Sequence, residues 1–559
     1  MNARKRVLVV GLDGATFDLI LPWVKTGKLP FLHDMMENGA YGELTSTIPV
    51  LTPPAWSSFM TGKNPGKHGI ISFFAREKNG YNVEVANSTY RSAREIWTIL
   101  GESGKKVGIV NVPLTYPPKK VNGIMITGMM TPPESDNVTY PVFLKEEVKK
   151  VIGEGALNPS FTYLEREEVF LNDLFESTDR LAKISSHLIK AYKLDLFMVV
   201  FNGTDYIQHE FWGYIDPSHP KYRADKFEKY QKIFLNYYQR LDEIIGELFR
   251  LAGENATVIV MSDHGAGPLR KYIHINSWLI RAGFLSMKGR LMTRIKRFMY
   301  KIGVNPEKIY NALLKAHIGN LGIKADKVNG KLRFLLKQLF LSFSDVNWHK
   351  TKAYSIGSGL IYINLKGRDA LGAVNPGEEY EALRERLIRR LHRLKDPETG
   401  ERVIEKVYRK EEVYVGPHSD TAPDLVFLPK QGYMTFEGYE FGADSVVTRA
   451  EAVSAAHRPN GILLMKGPEV KRGVELRNAN IVDVAPTMLQ IFGMPIPTDM
   501  DGKVLVDIFN PFHLNLNPVR YVMESRPVPP LIFKKNGKPY SLEDEEHLKL
   551  RLKGLGYLP

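Results

Sequence analysis

The sequence predicts an α/β fold: a mostly parallel sheet with helices on both faces, interrupted by an insertion that is basic and helical at first and mixed α/β afterwards. Three observations carry that reading. Apolar runs without alternation recur between helical stretches from residue 6 to about 270; a similar strand pattern returns after 451; and the excess positive charge is confined to one window between them. Short continuous apolar runs mark strands covered on both faces, and strands alternating with helices imply parallel pairing.

Taken in order, "RVLVVGLDG" is the first strand. The basic residues ahead of it resemble a signal peptide, but Asp13 ends the apolar run too early for export, so the expectation is a cytoplasmic protein. "KKVGIVNVP", "GIMITGM", "DLFMVVFNGTD" and "ATVIVMSDHGAG" supply further strands, with helices across 92–103 and 174–193. In the insertion, 281–342 reads as basic and helix-prone, and 350–450 as mixed. There "AYSIGSGLIYINLKG" and "PDLVFLP" are strands and 377–394 a charged helix. "RPNGILLMKGPEV" re-enters the sheet and "NIVDVAPTMLQIFGM" closes with a helix. A chain of 559 residues exceeds the size at which one core stops growing. The expected organisation is therefore an α/β domain of 1–275 with 451–510, an insertion of 276–450, and a Pro-rich tail, 511–559, wrapping the surface.

Composition narrows the chemistry. The chain has no cysteine, which excludes disulfides, thiolate metal sites and cysteine nucleophiles; any metal must be held by histidine and carboxylate. No apolar run is long enough to cross a membrane. The wealth of Lys, Arg and Glu is a compositional hint of a thermostable protein. Residues 281–340 hold 14 basic side chains against two acidic ones, a net +12 of the chain's +14.

Ligands of parallel sheets bind beyond the carboxyl ends of the strands. Asp13 in "GLDGA", Asp205 in "NGTDYIQHEFW" and the pair Asp263–His264 in "MSDHGAG" each follow a strand run. His209 lies four residues after Asp205, which puts the two on one helix face, and His457 sits in "AAHRPNG". Each alone has an ordinary explanation as a turn residue, a solvated helix face or a surface loop. Together, three Asp and three His suit two divalent ions, Zn²⁺ in the first place and Mn²⁺ as the alternative. Thr52, in "TIPVLTPPAWSSFMTGKNPGKHGI", precedes two prolines and a helical stretch. By spacing it is equally a helix cap or a nucleophile at the positive end of a helix.

The ordered set "GLDG", "TIPVLTPPAW…TGKNPGKHGI", "TDYIQH", "SDHG", "HRPNGIL" and "DVAPTMLQIFG…MDGKVL" resembles the type I phosphodiesterase/nucleotide pyrophosphatase family of the alkaline phosphatase superfamily, over roughly 6–275 and 450–507. The resemblance implies an alkaline-phosphatase-like sheet. It implies one metal on Asp205, His209 and His457, and another on Asp13, Asp263, His264 and the hydroxyl oxygen of Thr52, with Thr52 as nucleophile. The activity implied is hydrolysis of phosphodiester or pyrophosphate bonds through a phosphothreonine intermediate. The substrate would be a small anionic phosphate ester, a nucleotide or similar, and not a nucleic acid read by sequence. The chemistry agrees: a threonine hydroxyl is a weak nucleophile that a metal activates, and the amides of a helix N-terminus can hold a phosphoryl oxygen. Alternatives within the superfamily are a phosphotransferase to an alcohol acceptor, a phosphomonoesterase and a phosphonate hydrolase. A sulfatase is disfavoured, because "LTPPAW" lacks the Cys or Ser that becomes formylglycine.

Asn111 follows a strand and is a candidate donor to a phosphoryl oxygen. The asparagine with that role in nucleotide pyrophosphatases is expected just after a motif like "EIW" (95–97), where this chain has "TIL". His68 and Asn276 fit the family pattern with structural roles, and Asp420 and Asp424 read as turn residues. In "LMTRIKRFMYKI", Leu291, Met292, Ile295, Phe298, Met299 and Ile302 fall at helical spacing, with Arg294, Lys296, Arg297 and Lys301 on the other side. An ordinary helix would bury that apolar face on the domain. The functional readings are a cationic lid that shapes access for an anionic substrate, and peripheral docking on an anionic membrane or lipid phosphate through 281–342.

Overall fold

The computed structural model describes residues 4–77, 79–133, 135–158, 167–304, 340–436, 441–451, 453–523 and 539–554. Nine strands form the central sheet, in the order Val474–Asn480, Ala40–Thr45, Asn460–Lys466, Ala256–Met261, Arg6–Leu12, Leu196–Phe201, Val107–Val112, Gly123–Thr127, Thr139–Tyr140. The run from Ala256–Met261 to Gly123–Thr127 is parallel throughout. Asn460–Lys466 is antiparallel to both of its neighbours, and Thr139–Tyr140 to the strand beside it. Eight elements carry the candidate site and its surroundings: β1 (Arg6–Leu12), α1 (Thr52–Thr61), β2 (Leu196–Phe201), α2 (Gly203–Ile215), β3 (Ala256–Met261), β4 (Gly265–Ile273), α3 (Leu291–Lys301) and β5 (Ala455–Arg458).

The unbroken apolar runs have a direct cause. In β1, Leu8, Val10 and Leu12 enter the core on one face of the sheet while Val7 and Val9 enter the core on the other. β2 divides likewise, with Phe197, Val199 and Phe201 on the first face and Leu196, Met198 and Val200 on the second. Helices cover both faces, so neither set of alternating positions meets water. The mostly parallel sheet predicted from sequence is present. Two of its strands escaped the sequence pattern: Ala40–Thr45 and Val474–Asn480, parallel to each other beyond the antiparallel Asn460–Lys466, carry polar residues among the apolar ones and lack the continuous apolar signature.

Within 276–450 a separate core gathers around a four-stranded antiparallel sheet, in the order Ala353–Ser355, Leu360–Ile363, Leu425–Pro429, Ile404–Arg409. The helix Glu378–His392 covers it with Leu383, Leu387 and Leu391. Asp420 sits in an exposed turn, but Asp424 is no turn residue. It is fully buried, and it accepts from both Arg368 amino groups at 2.8 Å and from the Tyr380 hydroxyl at 2.8 Å. β4 joins the two regions: it pairs with Gly432–Thr435, with Val447–Arg449 and, at its first residues, with β5. In the tail, the helix Leu542–Gly554 sends Leu548 and Leu552 into the core on the Leu8 face, and Tyr540 just before it stacks on Tyr116.

α3 reverses its expected orientation. Its apolar residues face solvent, and Thr293, Lys296 and Tyr300 are the buried ones. The remainder of the basic window, 305–339, lies outside the described residues. Among the described residues no helix is long and apolar enough to cross a membrane.

Candidate active site

β1, β2 and β3 are adjacent and parallel, so their carboxyl ends open at one edge of the sheet. Asp13 leaves β1, Asp205 lies in the first turn of α2 behind β2, and Asp263 and His264 come directly after β3. His209 comes one turn later on α2, and its Nε2 is 3.3 Å from Asp205 Oδ1. His457 arrives from far along the chain: the antiparallel register Ala266↔His457 sets it beside His264, with ring centroids 3.7 Å apart. Gly14 closes the corner with φ +69°, where a Cβ would stand 2.7 Å from Asp205 Oδ1. Any side chain at 14 would displace that carboxylate.

Ligand atoms of Asp205, His264 and His457 lie within 4.8 Å of one another, and so do those of Asp13, Asp263 and His264. His209 Nε2 is 3.1 Å from His457 Nε2, so all six residues converge, with His264 shared between the two groups. Behind the imidazole rings lies main chain. His209 Nδ1 is 2.9 Å from Ala455 O, His457 Nδ1 3.1 Å from Val50 O, and His264 Nδ1 3.0 Å from Gly265 O. A carbonyl accepts only from N–H, so each ring carries its hydrogen on Nδ1 and turns the Nε2 lone pair inward. Lone pairs 3.1 Å apart repel unless a cation lies between them. Two nitrogen ligands of a tetrahedral zinc, each at about 2.0–2.1 Å, stand about 3.3 Å apart. Among the described residues no hydrogen-bond donor reaches Asp13 Oδ1 or Asp263 Oδ2, both fully buried. The donor set of imidazole nitrogen and carboxylate oxygen therefore fits divalent metal, and backbone carbonyls behind each imidazole are the usual support of metal-binding histidines.

The electrostatics point the same way. Burial, together with the charges of Asp263 and Asp205, pushes the Asp13 carboxyl well above its ordinary range. Burial also raises Asp263. Burial works against the charge of Asp205 most strongly, but His209, His457 and His264 together offset it and hold the carboxyl below its usual range. Buried carboxylates at this spacing repel one another strongly, and a bound cation removes the repulsion.

Thr52 is fully buried at the first residue of α1. The cap position belongs to Leu51, and no side chain caps the helix. The Thr52 hydroxyl instead lies 3.3 Å from His264 Nε2, among the candidate ligand atoms. The reading of Thr52 as a helix cap is thereby corrected: it does not cap. The helix-end amides are also fewer than the motif implies, since Pro53 and Pro54 have no N–H and the Ala55 amide donates to Leu51 O. That leaves the amide of Thr52 itself at this helix end.

Asn111 is not placed for a phosphoryl oxygen. Its side-chain amide donates to Val200 O at 2.8 Å and to Asn202 Oδ1 at 3.0 Å, and its own oxygen accepts from Asn158 at 2.9 Å. Asn202 in turn donates to Asp13 Oδ2 at 2.6 Å. Sequence reasoning missed Asn202; its place three residues before Asp205, at the N-cap of α2, was the available signal. His68 and Asn276 have structural partners, the Ser58 hydroxyl and the backbone of Ser355.

A cavity of about 360 Å³ opens beside His209 and His457. Phe17 and Glu43 line one side, Arg458 adjoins His457, and Glu405, Phe427 and Met434 come from the 276–450 segment. Segment 276–450 thus builds a wall of this cavity.

Residues 7–452 match the family model for type I phosphodiesterase / nucleotide pyrophosphatase. The chain belongs to this family. Among solved structures, murine ectonucleotide pyrophosphatase / phosphodiesterase 5, an inactive form in complex with AMP, matches with TM-score 0.50 and 14% identity over 90% of this chain and 100% of that one. The likeness is one of fold, the α/β fold with a mostly parallel sheet that the sequence predicts. Curated relatives match over short segments. Human arylsulfatase K is 37% identical over 68 residues, and the 2,3-bisphosphoglycerate-independent phosphoglycerate mutase of Agrobacterium fabrum 36% over 62 residues. In each case the chain spans 12% of the relative's length.

Proposed function

We propose that this type I phosphodiesterase family member hydrolyses phosphodiester or pyrophosphate bonds of a small anionic substrate, with Thr52 as nucleophile at a two-metal site. The observation that carries the reading is the convergence of three inward-facing Nε2 atoms and three buried carboxylates, with the Thr52 hydroxyl 3.3 Å from His264 Nε2. Asp205, His209 and His457 would hold one ion, and Asp13, Asp263 and His264 with the Thr52 oxygen the other. When bound, divalent ions, zinc foremost, would neutralise phosphoryl charge and make hydroxyl groups stronger nucleophiles.

The chain's residues set the rest. Thr52 Oγ1 is held at the positive end of α1, free of capping, and attacks phosphorus in line with the ester oxygen that departs. The P–O bond to the leaving group breaks as the Thr52 Oγ1–P bond forms, and the hydroxyl proton passes to solvent. Water then attacks phosphorus from the opposite side, the phosphothreonine bond breaks, and a phosphate monoester and free Thr52 result. The Thr52 amide faces the phosphoryl group at the helix end, and the 360 Å³ cavity gives the leaving group room.

The test is hydrolysis of bis(p-nitrophenyl) phosphate and p-nitrophenyl phosphate by metal-stripped protein, with zinc or manganese restored, beside Thr52→Ala. Metal-dependent diester cleavage that vanishes in the variant is expected. Equal activity in Thr52→Ala overturns the nucleophile; faster cleavage of the monoester overturns the diesterase reading; transfer products with added alcohols would make the protein a phosphotransferase.

A further inference from the structure

α3 exposes what a helix of a globular protein ordinarily buries. Leu291 is 75% exposed, Met292 57%, Phe298 63% and Ile302 60%, whereas Thr293 is 2% and Tyr300 3% exposed. At about 100° per residue the exposed apolar side chains form one stripe along the helix, and Arg294, Arg297 and Lys301 flank it on one side. The orientation is not accidental, because the opposite face is fixed by buried polar bonds. Thr293 donates to Asp345 Oδ1 at 2.9 Å, Lys296 to Asp345 Oδ2 at 2.9 Å, and the Tyr300 hydroxyl to Phe441 O at 2.6 Å. Turning the stripe inward would strand the buried Asp345 carboxylate without its cation.

We propose that this stripe is a docking surface for an anionic lipid bilayer. Charge chooses the occupant. A second copy meeting the stripe face to face would bring Arg294, Arg297 and Lys301 against the same residues. The stretch 305–339 carries seven basic residues against Glu307 and Asp326, so it too would set like charges together. A surface of anionic headgroups satisfies the cations while its acyl boundary receives Leu291, Met292, Ile295, Phe298 and Ile302. That pairing of an apolar stripe with basic neighbours is the pattern of interfacial helices. Tyr300 ties α3 to the core of the segment that also walls the candidate site, and no stripe residue lines the cavity there, so docking would hold the enzyme at a surface without using any residue of that site.

The experiment is co-sedimentation of the full chain with vesicles of phosphatidylcholine alone and of phosphatidylcholine mixed with phosphatidylglycerol. Partition to the anionic vesicles, weakened by salt, is expected. It should fall ~10-fold or more in Leu291→Ser/Ile295→Ser/Phe298→Ser, with hydrolysis of a soluble diester unchanged. Because the chain has no cysteine, Phe298→Cys supplies a single thiol for a polarity-sensitive dye. Its emission should shift to the blue only with anionic vesicles. Equal partition of the triple variant, or no partition of the parent chain, overturns the proposal. So does slow maleimide labelling of Phe298→Cys in vesicle-free monomer, which would show that the chain covers its own stripe. A dimer that the triple variant dissociates would overturn it in favour of self-association.

Discussion

The carboxyl edge of the central sheet and α3 obey opposite rules. In β1, β2 and β3 every apolar side chain is buried, because the strands are enclosed on both faces and hydrophobic pattern alone decides. In α3 the apolar residues face outward and three polar ones face inward, because Asp345, Thr293, Lys296 and Tyr300 form buried bonds. Burying an apolar side chain contributes about 1.5–3 kcal/mol, while leaving one partner of a buried ion pair alone costs about 3–5 kcal/mol. Summed over the five exposed stripe residues the forgone burial exceeds the cost of one stranded ion pair, a deficit that an apolar surface docking there would recover; no comparable anchor interrupts the strands.

The sharpest way to separate the two regions is to remove His264, which belongs to both groups of candidate ligands. His264→Ala should lower kcat/KM for diester cleavage by ~10³-fold or more and reduce metal bound per chain, measured by elemental analysis. His209→Ala, which touches one group, should spare part of the metal. If the two variants lose metal equally, the two-group reading of the site breaks.

For α3 the matching test is Lys296→Met. Removing the ammonium 2.9 Å from Asp345 Oδ2 should cost about 3 kcal/mol of local stability, read by hydrogen exchange of amides in 291–301. No effect would mean that the polar face does not set the helix orientation.

A third test returns to the catalytic region, where a buried charge serves stability alone. Glu95 Oε1 accepts from Lys119 at 2.7 Å and Arg91 at 3.0 Å. Burial opposes its ionisation, yet Lys119 and Arg91 hold its pKa at about 2, against 4.5 ordinarily. A depressed carboxylate stabilises fully above its unfolded pKa and loses that contribution as pH falls toward the folded one. Between pH 4.5 and about 2 the pair should release about 3 kcal/mol, and Glu95→Gln should flatten the acid limb of the unfolding curve in that window.

How far the sequence could be read depends on the same contrast. The parallel strands, and Asp13, Asp205, Asp263 and His264 just beyond their ends, were legible from unbroken apolar runs; His209 followed from its helical spacing to Asp205, Thr52 and His457 from the family resemblance, and the structure brings these seven side chains near one another. Ala40–Thr45 and Val474–Asn480 were not legible, being edge-sector strands with one polar face. Leu51 as the true cap of α1, and the spent amide of Asn111, depend on backbone geometry and on partners about 90 residues away, which no local pattern encodes. Asp424 looked like a turn residue because Arg368 and Tyr380, its partners, are distant in sequence.

Asn202 gives the smallest effect and the finest test of the strand-end site. Its amide donates to Asp13 Oδ2 at 2.6 Å and is itself held by Asn111 at 3.0 Å, so Asp13 has one oxygen occupied and turns the other toward the candidate metal position. Leucine has the same branched outline, with a somewhat larger volume, but no donor. Asn202→Leu should weaken zinc binding about 10–100-fold by equilibrium dialysis, as the loss of outer support does at other metal sites, while the fold persists. Asn111→Leu, one step further from the carboxylate, should weaken it less. If Asn111→Leu costs as much as Asn202→Leu, the two amides act by packing the strand ends together, and Asp13 is oriented by the sheet and not by its hydrogen bond.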